Sequence, residues 1–204
     1  MTPSASRQVV ESPHSSGRSY RSPKRDEQSA ATRSRITEAA VALHGSVGPA
    51  RTTISGIAEK AGVTRVTVYQ HFPTLELLFG ACSAHWLSEH PWPDVSAWER
   101  IDNPDNRLRR ALSELYAFFR SNEAMVANLN RDFASLPPVN QERIKARAAR
   151  MAAVLLKGRG LRGSTRRRAK AILTHSVEFE TWHSLSRHGL TDGEIVELLT
   201  TAVR

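Results

Sequence analysis

Residues 62–79 read GVTRVTVYQHFPTLELLF, and the fold turns on whether TVYQHF, 67–72, is a strand or a helix. Valine, threonine and tyrosine favour strands. The surroundings do not: a helical pattern runs up to Gly62 and another begins after Thr74, so a lone strand would have no partner. As a helix, the segment turns Val63, Val68 and Phe72 inward, while Arg65, Thr67, Tyr69 and His71 include exposed positions. Two short helices joined by a tight turn at Ala61-Gly62-Val63-Thr64 make a helix-turn-helix, whose second helix is built to enter a major groove.

Helical patterning extends outward in both directions. From Ser29, Ile36, Ala39, Ala40 and Leu43 recur at i, i+3, i+4 and i+7 until Gly45 and Gly48-Pro49 close the helix. Thr53 is placed to cap ISGIAEKA, Gly62 supplies the left-handed residue that ends it, and Thr64 caps the next helix. Thr74 caps a fourth, which stops before His90-Pro91-Trp92-Pro93. Further on, Asn103-Pro104 opens a helix with the stripe Leu108, Ala111, Leu112, Leu115, Tyr116 and Phe119. Ser121 starts another that ends near Asp132, residues 140–157 form the next, and Ser164 or Thr165 opens one running to about His188. Thr191-Asp192-Gly193-Glu194 is a capping box for the last. The expected fold class is all-α: an N-terminal three-helix helix-turn-helix domain over 29–90, then a C-terminal helical domain over 91–204. Residues 1–28, rich in serine, arginine and proline, read as a disordered basic arm.

TTISGIAEKAGVTRVTVYQHFPTLELLF, 52–79, with the helix before it, resembles the DNA-binding motif of the TetR/AcrR family of transcriptional regulators. Ile57-Ala58, Ala61-Gly62-Val63, Tyr69 and His71-Phe72 fall at the family's spacing, and the likeness covers about residues 30–80. Beyond that only the layout of helices is similar. The resemblance implies that Arg65 reads base edges and Val66 touches a thymine methyl. It implies that Thr67, Tyr69 and His71 contact phosphates, joined by Thr53 and Ser55 at the start of the supporting helix. Thr64 belongs to the same set. Tyr69 serves equally as a packing residue with a wet hydroxyl, and Thr53 is a cap before it is a contact. Leu75 stands where the family commonly has a phosphate-binding lysine, so that anchor is missing, with Arg51 or the N-terminal arm left to compensate.

The resemblance further implies a homodimer on a palindromic operator, a repressor released by an unknown small-molecule effector, and no cofactor. The dimer contact is expected on the last two helices, which carry Ala169, Ile172, Leu173, Ser176, Val177, Glu180 and Leu185, then Ile195, Leu198 and Leu199. Trp86, Trp98, Tyr116, Phe119, Phe133 and Trp182 are candidates to line the effector pocket, with Arg109, Arg110 and Arg120 nearby. Two other readings stay open: a ligand-independent architectural DNA binder, and an enzyme on a helical scaffold.

Composition sets the outer bounds. The 204 residues are 40% hydrophobic and 24% charged, and no stretch approaches the roughly 18 consecutive apolar residues of a membrane span. No signal-peptide pattern opens the chain, so a cytoplasmic place is expected. The single cysteine, Cys82, leaves no disulfide framework or cysteine zinc cage and reads as a small core residue. His175, His183 and His188 lack metal-ligand spacing, and no nucleophile elbow or phosphate loop is present. The net charge of +9 points to an anionic partner, yet lysine plus arginine against aspartate plus glutamate is only 5 versus 4 over residues 33–90 and 19 versus 13 over 91–204. Residues 143–170 hold eleven basic and no acidic side chains, far from the motif in sequence.

Overall fold

A computed structural model describes residues 23–203, and among them every regular element is helical. The helices are α1 (Pro23–Ser46), α2 (Ile54–Ala61), α3 (Arg65–His71), α4 (Leu75–Glu89), α5 (Val95–Glu99) and α6 (Pro104–Ser121). They continue as α7 (Glu123–Arg131), α8 (Pro138–Leu156), α9 (Gly163–Ser176), α10 (Phe179–Arg187) and α11 (Asp192–Ala202), with 3-10 turns at Pro49–Arg51 and Phe133–Ser135.

The buried side chains form two clusters. Ile36, Ala39 and Ala40 of α1 meet Ile57, Ala58 and Ala61 of α2, Val68 of α3, and Leu78 and Cys82 of α4. The second cluster is larger and centres on α6, whose Leu108, Leu112, Leu115 and Tyr116 are fully buried against α8, α9, α10 and α11. α4 joins the two: Leu78 and Cys82 belong to the first, and Trp86, one turn later, packs against the second. Cys82 is buried, and burial pushes its thiol up to about 12, so it stays protonated and packs as a small apolar group.

The sequence-based expectation fails at three places, each for a physical reason. α1 starts at Pro23, so residues 23–28 are helical rather than part of a disordered arm; the remainder of that arm lies outside the described residues. Proline at the first helical position and Asp26 in the first turn favour this start, although the turn is exposed. α5 went unread because it is one short turn, capped by Asp94 on the Ser96 amide and anchored by Trp98, which is 1% exposed. The helix expected from Ser164 to His188 is broken into α9 and α10 at Val177-Glu178. There the Tyr116 hydroxyl donates to the Ser176 carbonyl at 2.8 Å, taking the acceptor that a continuous helix would give to residue 180.

The aromatic pocket candidates take several different places. Trp98, Tyr116, Phe119 and Trp182 are buried in the core, and Trp98 also lines a groove of about 380 Å³ with Ile101 and Arg110. Phe119 packs against Phe179 and Trp182 at ring distances of 5.4 and 5.8 Å. The polar handles are satisfied within the chain, since the Trp98 indole donates to Glu114 and the Trp182 indole to Asp192. Trp86 stacks on His90, and Phe133 lies apart under the Lys145 ammonium. Arg109 and Arg120 are tied to Glu197 and Asp192 across helices, and Arg110 pairs with Glu114 on its own helix.

Candidate nucleic-acid interface

α2 and α3 owe their ends to local chemistry. The Thr53 hydroxyl accepts from the Gly56 amide at 3.0 Å and caps α2. Gly62 ends it at φ 65°, ψ 40°, a conformation that other residues adopt at a cost. A Cβ there would meet nothing, so the glycine serves the backbone turn and not the space. The Thr64 hydroxyl then accepts from the Thr67 amide at 3.1 Å and lies 2.9 Å from the Thr67 hydroxyl. The Thr64 and Thr67 side chains thus face each other at the start of α3, committed first to the helix end.

Inward, Val68 and Phe72 are 0% and 2% exposed. Arg33 of α1 holds the far end of α3: its guanidinium donates to the His71 carbonyl at 2.6 Å and lies 4.0 Å over the Phe72 ring. The sequence reading did not single out Arg33, whose partners are some forty residues away. Outward, Arg65, Val66, Tyr69 and Gln70 share one exposed face, with Val66 65% and Tyr69 47% exposed. An exposed valine beside an exposed tyrosine on a seven-residue helix is a surface shaped for contact. Gln70 was missed, and its place one residue after Tyr69 is the signal that could have found it. His71 is half-buried, and Ser55 is exposed near the start of α2.

At the start of α4 the Thr74 hydroxyl accepts from the Leu77 amide at 3.2 Å, while Leu75 is 61% exposed. The adjacent Glu76 is also exposed. This corner therefore carries an apolar side chain and a negative charge.

The motif is joined to the rest of the molecule by the C-terminal turn of α7. Asn128 donates its side-chain amide to the carbonyls of His44 and Gly45 at 3.1 and 2.7 Å. Arg131 donates to the Val47 carbonyl, and the Asp132 carboxylate accepts from the Ala50 amide at 3.0 Å. The Arg131 guanidinium beside Asp132 holds that carboxyl below the usual range. Gly48, at φ 90°, sits against this group, and a Cβ there would collide with both Arg131 and Asp132. His44 stacks on Phe79 of α4 at 4.6 Å, and burial lowers its imidazole from 6.5 to about 4.

Fold and face together define a helix-turn-helix DNA-binding protein with an all-helical second region. Residues 36–82 match the family model described as bacterial regulatory proteins, tetR family. That stretch, under a quarter of the chain, is similar to the DNA-binding domain of TetR-family regulators, and residues outside it are not covered by the match. Solved structures share the fold. A TetR-like transcriptional regulator from Rhodococcus sp. RHA1 superimposes with a TM-score of 0.61 at 17% identity, covering 85% of this chain and 94% of its own. NalD, the secondary repressor of the MexAB-OprM multidrug efflux pump in Pseudomonas aeruginosa, gives 0.54 at 24% identity, covering 86% and 95%. A search of curated protein sequences returned no match. Among the described residues no helix is long and apolar enough to cross a membrane.

Proposed function

We propose that the chain is a homodimeric repressor that binds a palindromic operator and is released by a small molecule held in residues 91–204. The observation that carries the reading is the outward face of α3, where Arg65, Val66 and Tyr69 are exposed while the opposite face is locked into the core. Arg65, first in the helix, takes a base edge through its bidentate fork, and Val66 meets a thymine methyl. Tyr69, His71 and Thr67 take phosphates, with Thr53 and Ser55 at the α2 end; Thr64 contributes mainly by holding the helix.

Release requires that the two regions move together, and α4 with the α7 clasp is the mechanical link. An effector acts only if it prefers the geometry that spreads or closes the two recognition helices. The dimer contact is proposed on α9, α10 and α11, on fewer residues than their patterning implies. Ala169, Leu173, Ser176, Val177, Ile195 and Leu199 are buried within one protomer. That leaves Leu198, 48% exposed, with half-buried Ile172 and Leu185 and exposed Glu180 as the accessible set.

Selection of bound duplexes from random DNA should return an inverted repeat. On that operator Arg65→Ala should weaken specific binding by about 1–3 kcal/mol, while affinity for unrelated duplex changes far less. Equal losses on both would defeat the assignment of Arg65 to base reading.

A further inference from the structure

The eleven basic side chains of residues 143–170 are not alike once folded. Arg159 is tied to Asp105 at 2.9 Å and to the Leu155 and Pro104 carbonyls, closing the end of α8 onto the start of α6. Arg143, Arg166, Arg167 and Arg168 are exposed to water. Arg147 differs from both kinds. It is half-buried, and among the described residues no carboxylate pairs with it and it donates no hydrogen bond. Its guanidinium lies 4.5 Å over the Trp92 ring, and burial lowers its pKa. A cation partly stripped of water and facing only a ring has charge and five donors to offer an anion.

Arg147 lines a groove of about 560 Å³ between the 92–96 segment and α8, within the roughly 300–1,000 Å³ typical of small-molecule sites. Trp92, Pro93, Val95 and Met151 give it apolar walls, and Arg150 adds a second guanidinium that donates to the Ser96 hydroxyl at 3.2 Å. One carboxylate is present: Asp94 also lines the groove, accepts from the Ser96 amide at 2.9 Å and lies 3.9 Å from Arg100. A fixed negative charge there disfavours dianions such as phosphate. The remaining choice is a single negative charge on an apolar body. The geometry points to this groove as the effector site, taking an organic monocarboxylate whose acid group pairs with Arg147 and whose body lies against Trp92 and Met151.

The groove has a route to the DNA-binding end. Trp92 stacks on Phe118 at 4.2 Å, Phe118 meets the edge of Trp86 at 5.9 Å, and Trp86 is on α4. A carboxylate that draws Arg147 towards itself changes the Arg147–Trp92 stack at one end of this chain of rings. The effector role rests on the reading of the chain as a ligand-released DNA binder; the carboxylate site does not.

The test titrates the full chain with benzoate, octanoate and the neutral benzamide at constant ionic strength, by calorimetry and tryptophan fluorescence. At least one of the two acids should bind saturably and benzamide at least tenfold more weakly. Arg147→Ala should lose at least tenfold in acid affinity, and Arg147→Lys, which keeps the charge but not the fork, should fall between if the alanine variant does not fold. Equal binding of benzoate and benzamide, no binding of either acid, or unchanged affinity in folded Arg147 variants would overturn the site. The acid that binds should also weaken operator binding in the parent chain, and only at correspondingly higher concentration in Arg147→Lys. Binding through Arg147 without any change on the operator would overturn the effector role, and failure to select an operator at all would sink the DNA-binding reading while leaving the carboxylate titration to stand by itself.

Discussion

The two ends of the molecule use charge in opposite ways. Residues 33–90, which carry the recognition helix, are nearly neutral, at 5 basic against 4 acidic side chains, whereas residues 91–204 hold 19 against 13. In the first region a few side chains stand outward on a small rigid frame, and Arg65 is exposed at the head of α3. In the second, some arginines fasten one part of the chain to another, while Arg143 and Arg166 to Arg168 stand exposed to water. Arg107 is 4% exposed and makes five bonds to the carbonyls of Ile101, Asp102, Val154 and Lys157. It thereby satisfies the end of α8 that the helix itself leaves unpaired. The difference teaches that positive composition does not locate a nucleic-acid site; the partner of each cation does.

Four substitutions put that contrast to the test. The largest effect is expected in the C-terminal core. Trp182→Ala should cost about 3–5 kcal/mol in urea unfolding, as for a large aromatic in a packed interior; a cost near 1 kcal/mol would mean the ring lines a cavity after all. Gly48→Ala probes the joint between the regions. A left-handed φ of 90° and a collision with Arg131 and Asp132 should together cost about 2–3 kcal/mol. The same variant should lose operator affinity through misplacement of the motif, and normal binding by a destabilised chain would uncouple the joint from function.

His44 tests the same joint by pH. Its imidazole, held at about 4 in the fold against 6.5, stays neutral while the unfolded chain takes up the proton. Its contribution is present above about pH 6.5 and is lost as the pH falls towards 4. Unfolding stability should drop by about 2 kcal/mol between roughly pH 7 and pH 5 on this account. His44→Phe, which can keep the stack on Phe79, should flatten that drop. An unaltered pH profile in the variant would place the titration elsewhere. The smallest effect is at the DNA end: Leu75→Lys should steepen the slope of log affinity against log salt by about 0.9, one phosphate contact. An unchanged slope would show that the corner near Glu76 does not approach the backbone.

How much of this was legible in the sequence depends on the range of each interaction. Thr53, Thr64, Thr74 and Asn103 cap as their positions predict, and Thr191 and Glu194 form the expected box. Each such bond spans two or three residues, so the local order of residues contains both partners. The left-handed turn at Gly62 is of the same kind. The aromatic residues were harder. Their apolar character placed them inside, but whether they surround a space or fill it depends on helices far apart in the chain.

Residue order by itself therefore determined the all-helical class, the ends of most helices and the recognition motif, because capping, periodicity and glycine turns are settled within about one helical turn. Only tertiary packing decided the rest. Tyr116 breaks α9 from α10 across sixty residues, Asn128 and Asp132 hold the loop after α1 across some eighty, and Arg107 closes α8 across fifty. The identity of a side chain names the bonds it can make. Which of them it makes, and whether a cation such as Arg147 is left facing a groove, follows from which surfaces folding brings together.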